Sequence, residues 1–375
     1  MFFDNASTTK IDKEFLEDII DFNEKYFYNP GGLYSKGRDV KFYIEECRKT
    51  ILECLGAEGK LIFTGSATES NNLAIVGSVK KNTRKLLFSM GEHPSVYNVA
   101  LELKNKGHDV EFVNLNKFGS VDIDDFKAKM TSDVDFVSIM HVSNETGAIN
   151  DIATLVEIAK DVNPKLIFHS DGVQAFGKHA VNLYDLNVDM YTISSHKIYG
   201  CKGVGALFVK NGCPLKPILF GGGQEGGLRS GTENVLGIHI FKKAVEKAHI
   251  NLKNNVEHIK SLKAKFLEGI DKSQLKYSIH SFENNVPNII SISFNGCRAE
   301  TILNKLNDKG IYIGNGSACS SKSSDNRILE NMGISKNEIE GNLRISFSKD
   351  NTLEEVDVLV KCLLECVEDY LKKVK

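Results

Sequence analysis

A lysine closing an apolar run gives the first chemical signal in this 375-residue chain. Tyr191-Thr192-Ile193-Ser194-Ser195-His196-Lys197 sets the Lys197 amine at the end of a strand-like segment. Burial there would lower its pKa from the free value of about 10.4 and leave a neutral nucleophile. Other runs end in other polar groups. Lys60 to Thr64 leads into Gly65-Ser66-Ala67-Thr68-Glu69, where Ser66 and Glu69 fit a capping box. The free N–H groups of that helix start, with the Thr68 hydroxyl, suit a phosphate. Met90-Gly91-Glu92-His93-Pro94 supplies a flat imidazole, Ser143-Asn144-Glu145-Thr146-Gly147 an amide, and Ser170-Asp171-Gly172-Val173-Gln174 a carboxylate. Each has an ordinary reading by itself: a helix cap, a hydrogen-bonded histidine, two turns and a solvated lysine.

The elements that must position these groups follow from periodicity. Short apolar runs at Lys60 to Thr64, Lys85 to Met90, Asp109 to Leu115, Asp135 to Val142, Lys165 to Ser170, Met190 to Ser194 and Gly205 to Val209 predict strands. Helical spacing fills most gaps, as at Ala67 to Lys80, Ser95 to Lys106 and Ile152 to Asp161. Such alternation predicts an α/β fold with a largely parallel sheet, whose ligands bind beyond the carboxyl ends of the strands. From Asn234 to about Asp271 the pattern is one long charged helix, read as a connector. Strands at Asn288 to Phe294 and Leu343 to Phe347, with helices at Ala299 to Lys309 and Leu353 to Lys373, predict a smaller α+β domain. The expected division is an arm of residues 1–13 joining the small domain, a large domain 14–250 and a small domain 251–375.

Composition narrows the function classes. A formal charge of -2, from 47 basic and 49 acidic side chains, leaves no net positive field, so nucleic acid is not expected as the main partner. No apolar run approaches the roughly 18 residues of a membrane span, so no membrane role is expected. The first residues lack the basic-then-apolar pattern of a secretory signal, which predicts a cytoplasmic protein. Eight cysteines without a CxxC pair argue against a metal site and for reduced thiols. Cys362 and Cys366 fall in a helical apolar pattern and are expected to pack in a core.

An amine, a carboxylate, an amide, a flat ring and a phosphate-ready helix start on one sheet edge form the complement that holds pyridoxal 5'-phosphate. A neutral lysine condenses with its aldehyde, and an Asp on the pyridine nitrogen keeps the ring able to accept electrons. Asp171 is the candidate for that pairing and His93 for a ring stacked on the cofactor. Ala67, Thr68, Ser194 and His196 are the candidates for the phosphate.

The chain resembles the cysteine desulfurases of the NifS/IscS type, within the aminotransferase class V group of fold-type I pyridoxal-phosphate enzymes. The motifs that carry this are Asp4 to Thr9, Asn29-Pro30 with Gly37-Arg38, Phe63 to Asn72, Glu92-His93, Asn144 to Gly147 and Asp171 to Lys178. Ser194 to Gly200, Gly221 to Asn234, Gly316 to Cys319 and Leu343 to Ser346 complete the series, in the family's order over nearly the whole chain. The resemblance implies a large domain with a mainly parallel seven-stranded sheet. It further implies Lys197 as the Schiff-base lysine, Asp171 on the pyridinium, His93 as stacking ring and proton carrier, and Gln174 on the phenolic oxygen. Thr68, Ser194 and His196 would hold the phosphate, Thr232 would reach the partner's phosphate in a homodimer, and Asn144 and Arg344 would hold the substrate carboxylate. Arg344 suits that task because its planar fork matches a carboxylate at two points.

Cys319 distinguishes a desulfurase from other enzymes of this fold. It lies in Gly314 to Asn326, small and polar throughout, where nothing in the sequence would bury the sulfur, so a mobile loop is expected. The implied reaction takes sulfur from L-cysteine, leaves L-alanine and a Cys319 persulfide, and passes the sulfur to an acceptor such as an iron–sulfur scaffold or a tRNA-thiolation protein. A free thiol near pKa 8.5 is only a few per cent ionised at neutral pH, and His93 is the expected acceptor of its proton. Tyr34, Asn150 and Cys201 depart from the family pattern, at positions where histidine, glutamine and proline are frequent; none removes a group the reaction needs. The alternatives are a selenocysteine lyase or another pyridoxal-phosphate lyase on the same scaffold, and a non-catalytic sulfur carrier or scaffold protein.

Overall fold

The apolar runs assemble into two sheets in the computed structural model, which describes residues 1–80, 82–315 and 326–374. The strands are β1 (Phe2–Phe3), β2 (Gly59–Thr64), β3 (Lys85–Ser89), β4 (Asp109–Val113), β5 (Val134–Ser138), β6 (Ile167–Asp171), β7 (Met190–Ser194), β8 (Gly205–Lys210), β9 (Tyr277–Ile279), β10 (Ile289–Phe294), β11 (Tyr312–Asn315) and β12 (Asn342–Ser346). The larger sheet has seven strands in the order β2-β8-β7-β6-β5-β3-β4. β8 runs antiparallel to both neighbours and the other pairs are parallel. The carboxyl ends of β2, β3, β5, β6 and β7 therefore meet on one edge. Every residue of β7 is buried, as expected of a strand covered by helices on both faces.

Helices Ala67–Ser78, Pro94–Asn105 and Ile152–Val162 follow β2, β3 and β5 and start at that edge. Their caps come from the motifs themselves: the Ser66 side chain accepts from Glu69 N, His93 Nδ1 from Ser95 N, and Asp151 from Thr154 N. The first of these helices buries Ser70, Asn71 and Ser78 beside Leu73, Ala74 and Ile75, so its inward face is partly polar.

The smaller sheet has the order β1-β11-β12-β10-β9, with β1 parallel to β11 and the remaining pairs antiparallel. Ala299–Asp308 and Leu353–Val374 supply Ile302, Leu306, Leu359 and Leu363 to its core, which also holds Phe3, Ile292 and Leu343. Phe3 is fully buried and contributes about 2 kcal/mol by leaving water. The helix Val235–Asp271 is continuous for 37 residues. Its first half sends Ile238, Phe241 and Val245 into the large core, and its second half sends Leu262, Phe266 and Ile270 into the small one. Cys366 is buried and Cys362 packs half-buried against the same small core.

Periodicity did not disclose β1, β9 or β11. β1 and β9 have two and three residues, too few to show alternation, and β11 ends in Gly314-Asn315. Among the described residues no helix is long and apolar enough to cross a membrane.

Candidate active site

The residues that close β2, β3, β5, β6 and β7 converge on a cavity of about 360 Å³. Ser66, Ala67 and Thr68 line it from the first helix start, His93 and Ser95 from the second, and Asn144, Asp171, Gln174, His196 and Lys197 from the segments beyond β5, β6 and β7. Arg344 enters from β12 of the small sheet, and Ala6 and Ser7 from the chain's first residues. A wider groove of about 900 Å³ around Gly56, Tyr184 and Lys210 lies at the opposite edge of the sheet and carries none of these groups.

Lys197 Nζ donates to the carbonyls of Ala6 and Ser7, each at 2.6 Å. Burial, then the Arg344 charge, lower its pKa to about 8 against the pull of Asp4 and Asp171. Asp171 Oδ1 accepts from Val173 N at 3.0 Å and Oδ2 from Asn71 Nδ2 at 2.8 Å. Behind it Gly172 packs on the Tyr191 ring, where an added Cβ would lie 1.9 Å from Cζ. Gln174 Nε2 donates to Ala6 O at 2.7 Å, and its Oε1 accepts from Lys178 Nζ at 2.9 Å. Burial and then the Lys197 charge bring Lys178 down to about 7. Burial, then Lys197 and Lys178, bring His196 down to about 4, so its ring is neutral at pH 7 and bonds to the Thr8 hydroxyl at 3.1 Å.

His93 is also held below its usual pKa, first by burial, then by the Lys197, Arg327 and Arg344 charges, with Asp171 opposing. Its neighbour Glu92 is fully buried; Oε1 accepts from Met140 N at 2.7 Å, and burial drives the carboxyl far above the usual range. Arg344 donates to Asp4 Oδ1 and Asn144 O, each at 3.0 Å, with Glu145 Oε1 at 3.4 Å.

Ser194, also expected in the site, does not line this cavity, and neither does Thr232, which was expected to reach a partner's phosphate and not this one. Ser194 is buried at the end of β7 opposite Gly205, whose Cα packs against the Ser66–Ala67 peptide; its Oγ has no partner among the described residues. Thr232 is exposed on the loop after Gly221. That loop is pinned to the rest of the chain twice. The Glu225 carboxylate accepts from Arg48 at 2.7 Å and from Phe63 N at 3.0 Å. Arg229 pairs with Glu69 at 2.7 Å, and Glu69 also accepts from Gly65 N. Cys319 lies outside the described residues.

Sequence reasoning missed Asn71, Ser95, Glu92 and the Ala6 and Ser7 carbonyls. A carbonyl leaves no trace in residue type. Asn71 lay inside the Phe63 to Asn72 motif without being singled out, and it is a polar residue on the inward stripe of a helix shared with Ala74, Ile75 and Ser78.

A parallel sheet with an amine, an imidazole and a carboxylate on its carboxyl edge, joined to a small antiparallel sheet that lends an arginine, defines a class of protein. The profile of the aminotransferase class-V family matches residues 1–359. Cysteine desulfurase IscS 1 of Archaeoglobus fulgidus is 37% identical over 372 residues, 98% of this chain and 97% of that protein. A solved structure described as a NifS-like protein superposes with a TM-score of 0.92 at 33% identity, covering 98% of this chain and 99% of its own. A structure described as SspA in complex with cysteine gives a TM-score of 0.81 at 28% identity, covering 94% and 99%. The chain belongs to the class-V aminotransferase family and, within it, to the cysteine desulfurases of the NifS/IscS type.

Proposed function

We propose that the protein is a cytoplasmic, homodimeric cysteine desulfurase. It would remove sulfur from L-cysteine, release L-alanine, and leave a persulfide on Cys319 for an acceptor protein in iron–sulfur cluster assembly or tRNA thiolation. The residues present fit pyridoxal 5'-phosphate. The Asn144 side-chain oxygen, in the cavity wall, is buried without a partner among the described residues, the Ala67–Ser78 helix points its N-terminus into the cavity, and a lysine with a depressed pKa stands across from an aspartate. When bound, that cofactor supplies an aldehyde for an amine and a ring that takes up electron density released at a substrate α-carbon.

Lys197 would hold the aldehyde carbon, Asp171 the pyridine nitrogen, His93 the ring face and Gln174 the phenolic oxygen. Ala67, Thr68, Ser194 and His196 would hold the phosphate, with Thr232 serving the partner subunit. The Lys197 amine would take the α-proton. Asn144 and Arg344 grip the substrate carboxylate, which requires Arg344 to exchange part of its contact with Asp4 or Glu145. Attack of the Cys319 sulfur on the substrate sulfur would form the S–S bond as the Cβ–S bond breaks with its electron pair left on Cβ; the proton given up by the Cys319 thiol would go to Cβ and the proton held by Lys197 would return to Cα, completing alanine. Apolar side chains left exposed at Phe27, Leu33, Phe42 and Phe220 offer a second copy a surface to cover.

One observation carries the assignment of Cys319. Both ends of the segment that bears it are fixed at the cavity: Gly314 pairs with Arg344 across β11 and β12, and Arg327 donates to Glu92 O at 2.6 Å beside His93. The test is mass spectrometry after incubation with L-cysteine, with alanine measured in parallel. One extra sulfur on Cys319 and stoichiometric alanine are expected, both lost in Cys319→Ser while the cofactor absorbance remains. Full sulfur release by that variant refutes the assignment, and faster turnover of selenocysteine moves the reading to a selenocysteine lyase.

A further inference from the structure

The hydrogen bonds around His93 run in one direction, and that direction is set from Asp171. A carboxylate accepts and does not donate, so the Asn71 side-chain atom 2.8 Å from Asp171 Oδ2 is the amide nitrogen. That nitrogen carries two protons, and its second contact, also 2.8 Å, is Ser95 Oγ. Having accepted from Asn71, the Ser95 hydroxyl has its own proton to give, and its neighbour at 2.8 Å is His93 Nδ1. The Ser95 backbone N–H donates to the same nitrogen at 3.1 Å, an independent contact that caps the Pro94–Asn105 helix. Two donors on Nδ1 leave it no proton, so the neutral ring carries its proton on Nε2. Asn71 is fully buried and Ser95 nearly so, which leaves the chain no water to reverse it through. Nε2 has no bond among the described residues, and His93 lines the cavity.

We infer that His93 enters the reaction as a hydrogen-bond donor through Nε2, held in that tautomer by Ser95 and Asn71. These two are positioning residues. The ring presents N–H to an anionic sulfur or oxygen of the substrate, where the sequence alone suggested a base for the Cys319 thiol. This rests on the desulfurase reading for what fills the cavity, and on the hydrogen bonds alone for the tautomer.

The groups facing His93 are Asp171 at the end of β6, Lys197 beyond β7, Arg344 on β12 and Arg327 beside Glu92. None of them bonds Nδ1, so loss of the Ser95 hydroxyl leaves these charges in place and acts on the tautomer.

The test is nitrogen NMR of the holoenzyme labelled with 15N-histidine, His93 being assigned by its loss in His93→Gln. At pH 8 we expect an unprotonated Nδ1 and a protonated Nε2, with no second tautomer. Ser95→Ala removes one of two donors opposing a proton on Nδ1, so the His93 midpoint should rise and the second tautomer become visible. Asn71→Ala should give the same changes in smaller measure. A proton on Nδ1 in the unmodified protein overturns the inference, as does a Ser95→Ala spectrum and midpoint identical to wild type. If Ser95→Ala does not fold, the wild-type spectrum decides alone. A correct tautomer in a protein that makes no alanine from cysteine refutes the desulfurase reading and leaves this inference standing.

Discussion

Loading of the cofactor should report the depressed pKa of Lys197 directly. The amine reacts only when neutral, and its pKa falls from 10.5 to about 8 in the folded protein. At pH 7 about one amine in eleven is then neutral, against about one in three thousand for an unperturbed lysine, an advantage of about 300-fold. Apo-protein mixed with excess pyridoxal phosphate should gain visible absorbance at a rate that rises about tenfold from pH 6 to 7, bends near 8 and is flat above 9. Dividing each rate by that of a free lysine derivative, itself first corrected for its neutral fraction, removes the cofactor's own pH dependence. Two substitutions fix the cause. Arg344→Gln removes a cation beside the amine and frees Asp4, so the bend should move up; Asp4→Asn removes a carboxylate and should move it down. A wild-type rate that keeps climbing to pH 10, or variants that move the bend together, would refute the account.

Two stability measurements test the scaffold of the site. Gly172→Ala drives a methyl into the buried Tyr191 ring, whose hydroxyl is bonded to His141 at 2.8 Å; urea unfolding should show a loss of about 3 kcal/mol together with weaker cofactor retention. A loss below about 0.5 kcal/mol would mean that the ring moves freely. Glu225→Gln removes the buried one of the two carboxylates that pair with the largely buried Arg48 and should cost about 2 kcal/mol in the same assay, whereas an unchanged urea midpoint would show that Glu45 suffices.

The large sheet was legible because its strands other than the edge strand β4 are mostly buried apolar runs bounded by polar turns, and the Val235–Asp271 helix because between Gly237 in its first turn and Gly269 neither Gly nor Pro interrupts it. The carboxyl-edge groups were legible for the same reason, since each ends a strand or lies within a few residues of its end. What composition hides is the support beneath them. Lys197 is held by two carbonyls, and His93 by a serine two residues away and an asparagine on another helix, contacts that no spacing rule announces. Arg344 sits within a buried strand, and its contacts with Asp4 and Glu145 join residues far apart in the chain.

Residues 4–9 form a strap between the two sheets. Asp4 holds Arg344, Ala6 N donates to Ser346 Oγ at 2.8 Å, and the Ala6 and Ser7 carbonyls hold Lys197. Any sliding of the small sheet over the large one therefore tugs on the reactive amine through a few short links. If the proposed acceptor leans on the small sheet while collecting its atom, it would loosen or tighten that grip mechanically, and hand-off at the surface and readiness for the next round would then share one tether.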